Sequence, residues 1–176
     1  MPEGTMNQGI GASVRRKEDK KFITGKGRYT DDINRNGQLY AYFIRSDVAH
    51  ANIKSIDVNA AAKCEGVVAV YTGADIATDG IGGPICGWTP TNRDGSAPKE
   101  PPHPLLAVSK VRYVGDHIAV VIAESLEAAQ AASEKIRIDL ETLPAVVDPA
   151  TAIGNTQIHD EMDDNVYFDW ELGDET

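Results

Sequence analysis

The side chains of this sequence that could do chemistry are few and scattered. Its four histidines, His50, His103, His117 and His159, never stand at ligand spacing from one another. Cys64 and Cys86 lie in separate segments, whereas zinc sites draw on closely spaced pairs of ligands. His159-Asp160-Glu161 with Asp163 and Asp164 offers carboxylates to a hard cation, but the run lacks the spacing and the glycine of an EF-hand loop. It reads as a solvated acidic segment. Cys86, next to Gly87 and Trp88, suggests an exposed thiol, and a thiol nucleophile needs a base to form its thiolate. His103 is the candidate base, provided the fold brings the two together. Ser13 and Ser96 are outside any nucleophile elbow. Gly25-x-Gly27 lacks the third glycine of a dinucleotide fingerprint, and no P-loop motif is present. Gly80 to Gly83 is followed by Pro84, not by a helix that could present its N-terminus to phosphate. These residues alone name no catalyst, and no catalytic, cofactor-binding or metal-ligating residue is assigned.

The elements that would position them follow a clear rhythm. The first 22 residues show no periodicity and read as an extended arm. Gly25 and Gly27 permit tight backbone conformations before a short strand. Asn36-Gly37 signals a turn into a strand over 39–45, and a second strand is expected over 53–58. Asn59 would cap a short helix over 60–64, Gly66 would end it in a left-handed conformation, and a third strand follows over 67–71. From 72 to 104 glycine and proline dominate, a loop whose length implies function or packing on something else. Residues 117–123 form the most convincing core strand. Ser125 caps a helix over 126–135, whose alanines allow close packing on a sheet, and 136–141 alternates as another strand. Two strand–helix–strand units within a mixed α/β (α+β) domain result.

Composition narrows the function classes. A chain of 176 residues with 41% hydrophobic content suits one domain with ordered tails. No stretch approaches the ~20 apolar residues of a membrane span. Met1 to Asp19 has no apolar signal-peptide region, and two isolated cysteines fit a reducing cytoplasm. The net charge of −10 is uneven: residues 139–176 hold 11 of the 27 acidic residues and none of the 17 Lys or Arg. Nucleic acid is therefore excluded as a partner, because an acidic end repels phosphates. The cluster Arg15, Arg16, Lys17, Lys20, Lys21 reads as a solvated face or docking patch.

The order of segments carries more information than any one residue. Ile10-Gly11-x-x-x-x-Arg16, then Lys26-Gly27-Arg28-Tyr29-Thr30-Asp31-Asp32, resembles the opening of large subunits in the xanthine dehydrogenase, aldehyde oxidase and carbon monoxide dehydrogenase family. Arg45-Ser46-x-x-Ala49-His50-Ala51, the run from Gly66 to Ile76, and Val114-Gly115-Asp116-His117-Ile118-Ala119-Val120-Val121 are similar to that family in the same order. So are Leu143-Pro144-Ala145-Val146-Val147-Asp148 and His159-Asp160-Glu161 to Asn165. His117 departs from the pattern, standing where many relatives have proline.

The resemblance implies an α/β hammerhead domain over 23–150, an arm over 1–22, and an acidic linker over 151–176 toward a molybdopterin-binding domain. It implies a parent enzyme that hydroxylates aldehydes or N-heterocycles with oxygen from water, or oxidises carbon monoxide; the texture is closest to carbon monoxide dehydrogenase-like large subunits. The parent would hold a molybdenum-pterin cofactor and pass electrons to iron–sulfur clusters and FAD on partner subunits or domains. This piece itself would hold no cofactor and be inactive, and its end at Gly173-Asp174-Glu175-Thr176 reads as a truncation. A freestanding protein-interaction module and a small thiol enzyme using Cys86 and His103 are the alternatives.

Overall fold

The computed structural model describes Ile10 and residues 15–173. The chain divides into two compact units, one up to Gln38 and one from Leu39 onward. In the first, a short helix, α1 (Asp19–Ile23), replaces extended chain at the end of the expected arm; residues 1–9 and 11–14 lie outside the description. The short strand expected after Gly27 is absent as well. Thr30–Asp32 forms a 3-10 turn instead, because the Asp32 carboxylate accepts the Tyr29 backbone N–H at 2.8 Å and curls the chain. The Tyr29 ring stacks on Phe22 at 5.1 Å.

The second unit contains β1 (Tyr40–Arg45), β2 (Ala51–Asp57), β3 (Val67–Thr72), α2 (Gly73–Thr78), β4 (Lys110–Val111), β5 (His117–Ala123), α3 (Leu126–Ser133) and β6 (Arg137–Thr142). Two antiparallel sheets result, with strand orders β1-β5-β3 and β4-β2-β6. The expected strand order of both units is present, though only the second unit has an α-helix between its strands, and each unit crosses between sheets. The first runs from β2 to β3 and the second from β5 to β6. The mixed α+β class holds.

The alanines of α3 explain how it sits. Ala129 and Ala132 are fully buried and let the helix approach the first sheet closely, where Val121 and Ala123 of β5 meet it with Tyr42, Ile44, Val67 and Val70. The Ser125 hydroxyl caps α3 by accepting the Ala128 N–H at 3.1 Å. Gly66 takes a φ of +77°, and a Cβ there would press on Ala128 at 3.3 Å. A second cluster joins Ala51, Ala107, Val111 and Ile118, with Ile53, Ile56, Ile138 and Leu140 from the second sheet. Burying each of the larger side chains contributes about 1.5–3 kcal/mol.

Two expectations change here. The helix over 60–64 is only a 3-10 turn at Ala61–Lys63, and Asn59 does not cap it. Asn59 bonds the Asp57 carboxylate through both its backbone and side-chain N–H groups, and one turn is too short to sustain an α-helix. The loop from 72 opens with a real helix. Asp75 accepts from both the backbone N–H and the hydroxyl of Thr72 at 2.7 Å, so Thr72 and Asp75 form a capping box for α2. Gly73 is required there: any Cβ would overlap the Ala107 carbonyl.

Candidate functional site

The Gly/Pro-rich loop is not loose, because the acidic end of the chain holds it. Gln157 donates to the Met162 and Asp163 carbonyls at 3.0 and 2.8 Å, and Asn165 donates to those of Ala152 and Thr156 at 2.9 Å. These bonds fold residues 157–165 into a turn that inserts Met162 into the protein. Asp160 then receives Lys110 through both carboxylate oxygens, at 2.7 and 2.9 Å, and Asp163 pairs with Lys99. Arg93 reaches Asp169 at 3.1 Å and Glu171 at 3.6 Å. Backbone bonds add to this, from Arg93 N–H to the Asp169 carbonyl at 2.9 Å and from Lys99 N–H to that of Tyr167 at 3.3 Å. Trp88 meets Trp170 and Phe168 edge-on, at 5.1 and 6.2 Å.

This clamp is the feature that sequence reasoning missed. The aromatic residues of the tail pack on the chain's own loop while staying partly exposed. The segregated charge was the available signal: the loop and β4 supply Arg93, Lys99 and Lys110, and the end of the chain supplies their partners. The pairing also shapes the electrostatics. Hydrogen bonds from Lys110 and Lys99 hold the Asp160 and Asp163 carboxyls below their usual range.

Between loop and tail lies a cleft of about 300 Å3, lined by Cys86, Glu100, His103, His159 and Tyr167 among others. It adjoins a smaller one of about 160 Å3, where His103 and His159 meet Lys110, Arg112, Tyr113 and Asp116. The fold thus brings Cys86 and His103 to one cleft, as the thiol-enzyme alternative requires. The bonding does not favour that chemistry. The Cys86 thiol donates to the Trp88 carbonyl at 2.9 Å, and Tyr167 also bonds it. His159 has a depressed pKa, first through burial and then through the nearby Arg112 cation, and its Nδ1 has no hydrogen-bond partner. His50 is buried in the second sheet's end, with Nδ1 bonded to the Pro144 carbonyl at 2.8 Å. The His117 ring lies against Phe43 at 4.8 Å, tilted by 34°. Both histidines stand at strand ends, and the Nε2 atoms of His50 and His117 find no hydrogen-bond partner. Among the described residues, no three His, Cys, Asp or Glu side chains converge into a metal-holding group.

Residues 24–144 match the family model of the aldehyde oxidase and xanthine dehydrogenase a/b hammerhead domain. The chain belongs to that family. Among relatives of this hammerhead domain, the nicotine 6-hydroxylase large subunit of Paenarthrobacter nicotinovorans is 40% identical over 89% of the chain, and the match occupies 19% of that protein. The carbon monoxide dehydrogenase large chain of Afipia carboxidovorans is 36% identical over 95% of the chain and 21% of its own length. Quinoline 2-oxidoreductase from Pseudomonas putida 86 superposes with a TM-score of 0.74 at 37% identity, covering 90% of this chain and 20% of that one. The chain therefore spans about a fifth of the length of the curated relatives it matches. The hammerhead fold expected from the order of motifs holds.

Proposed function

We propose that this chain is the non-catalytic N-terminal domain of a molybdopterin-dependent oxidoreductase large subunit. The observation that carries the reading is the match itself, which takes in most of this chain and a fifth of each large subunit. The parent would hydroxylate an aldehyde or an N-heterocycle with oxygen from water, or oxidise carbon monoxide, in keeping with relatives named for nicotine, quinoline and carbon monoxide. Such oxidations need an electron sink that side chains do not supply. The molybdenum-pterin cofactor would lie in the remainder of the subunit. Iron–sulfur clusters and FAD would lie on partner subunits or domains, and nucleic acid and membrane have no part.

In this reading residues 1–22 are an arm, 23–150 the hammerhead, and 151–176 the acidic passage to the next domain. The site assignment follows: no catalytic, cofactor-binding or metal-ligating residue in this chain. Among the described residues no helix is long and apolar enough to cross a membrane. A cytoplasmic location suits the two free cysteines, Cys64 and Cys86. The test is an assay of the purified chain with aldehydes, purines, N-heterocycles and carbon monoxide against a dye acceptor, with metal analysis of the same sample. No dye reduction is expected. Stoichiometric molybdenum together with turnover would sink the reading.

A further inference from the structure

The first sheet has a helix on one side only. Residues of β1, β5 and β3 that alternate with those facing α3 point the other way, and the strand register aligns them in two rows. One row is Ala41, Ile122 and Ala69; the next is Phe43, Val120 and Tyr71. None of the six carries a charge; Arg45 and His117 follow at the strand end and bound the apolar patch there. Phe43 is 42% exposed and Tyr71 40%, while Val120 between them is only 8% exposed. The two rings thus stand as rims, and beside them the alanine row is shallow. Sheets of this kind bury both faces or turn one to water with polar residues, and this face does neither.

We propose that this outer face is the seat of a later segment of the same polypeptide, an uncharged helix or sheet surface laid across the alanine row beside the aromatic rims. The inference rests on the reading of the chain as part of a larger subunit, and the length of its relatives supplies the occupant. They carry roughly four-fifths of their chain beyond the matched part, so that covering this face needs no second protein. A solvated face would show polar alternation, and an apolar patch of this kind marks an interaction surface.

The test places a reporter on the face. Ala41→Cys and, separately, Ala69→Cys are made in a Cys86→Ser background, both in the 176-residue chain and in the full-length subunit. Maleimide labelling is then timed in each, with Cys64 as the internal reference. The expected result is ready labelling in the short chain and labelling at least about tenfold slower in the folded subunit, restored by denaturant. Two substitutions are used so that one poorly folding variant does not decide the matter. Equal labelling rates in the short chain and an intact subunit would overturn the seat while leaving the larger-subunit reading standing. A native protein that ends at this length would overturn both. A short chain that dimerises with the face already protected would assign the face to a second copy and overturn the choice of occupant.

Discussion

Val121 and Trp88 are both large apolar residues, and their surroundings are opposite. Val121 is fully buried between α3 and the first sheet, among Ala61, Ala123, Ala129 and Ala132. Trp88 touches Trp170 and Phe168 by ring edges and remains more than half exposed. Around Val121 the chain is held by close packing with hardly a charge. Around Trp88 it is held by ion pairs between exposed partners, by a few backbone bonds and by aromatic edges. Exposed ion pairs contribute little each, about 0–1 kcal/mol, so the clamp must be far weaker than the core. Both regions belong to one compact unit, yet one would melt only with the whole unit and the other can open locally.

The sharpest way to break this contrast is at the core. Val121→Asp places a carboxylate against the buried alanines of α3. The expected cost is more than about 4 kcal/mol, enough to abolish cooperative unfolding of the chain. Circular dichroism through a thermal ramp checks it. An unchanged midpoint would mean that β5 does not lie beneath α3.

The same contrast explains what could be read from the residues. The strand over 117–123 was legible in full because six consecutive apolar residues, 118–123, follow a turn and His117 and come shortly before a serine cap. The bounds of β1, β2, β3 and β6 moved by one or two residues, and α3 ended two residues early, at Ser133. Capping decided the remaining differences. Thr72 and Asp75 build a helix that the following glycines and prolines concealed, whereas Asn59 spends its donors on Asp57. The cleft was less legible. Cys86 and His103 were singled out by type alone, but Arg93–Asp169, Lys99–Asp163 and Lys110–Asp160 join positions 50 or more residues apart. Nothing in local periodicity encodes such pairings.

A smaller effect is expected at the aromatic junction. Trp88→Ala removes two edge-on ring contacts, at a cost of about 1 kcal/mol. The thermal midpoint of the core should hardly move, while the tail detaches more often. Amide exchange reads this directly at Arg93, Lys99 and Asp169, whose N–H groups bond across the junction. Faster exchange at these three with unchanged protection in β5 is the expected pattern. Equal acceleration in both regions would show that the clamp and the core unfold as one.

The mildest test uses acidity, and His159 sets its direction. Burial, and then Arg112, lower the pKa of this imidazole from its ordinary value of 6.5, against weaker opposing pulls from Glu161 and Asp160 and a further lowering by His103. A detached tail takes up a proton near pH 6.5, and the docked tail does so only at lower pH. The detached state therefore binds more protons below about 6.5, and docking weakens as the pH falls from there to the folded value. The carboxylates act lower down. Asp160 and Asp163 have folded pKa values below 3.8, so their contribution is complete above 3.8 and is lost as the pH falls through those folded values. Two separate steps should result. Both tryptophans, Trp88 and Trp170, sit in the clamp, so indole emission reports on docking alone. His159→Gln removes the titrating ring and should flatten the upper step while leaving the lower one in place. An emission profile that keeps its upper step in this variant would place the proton on another group.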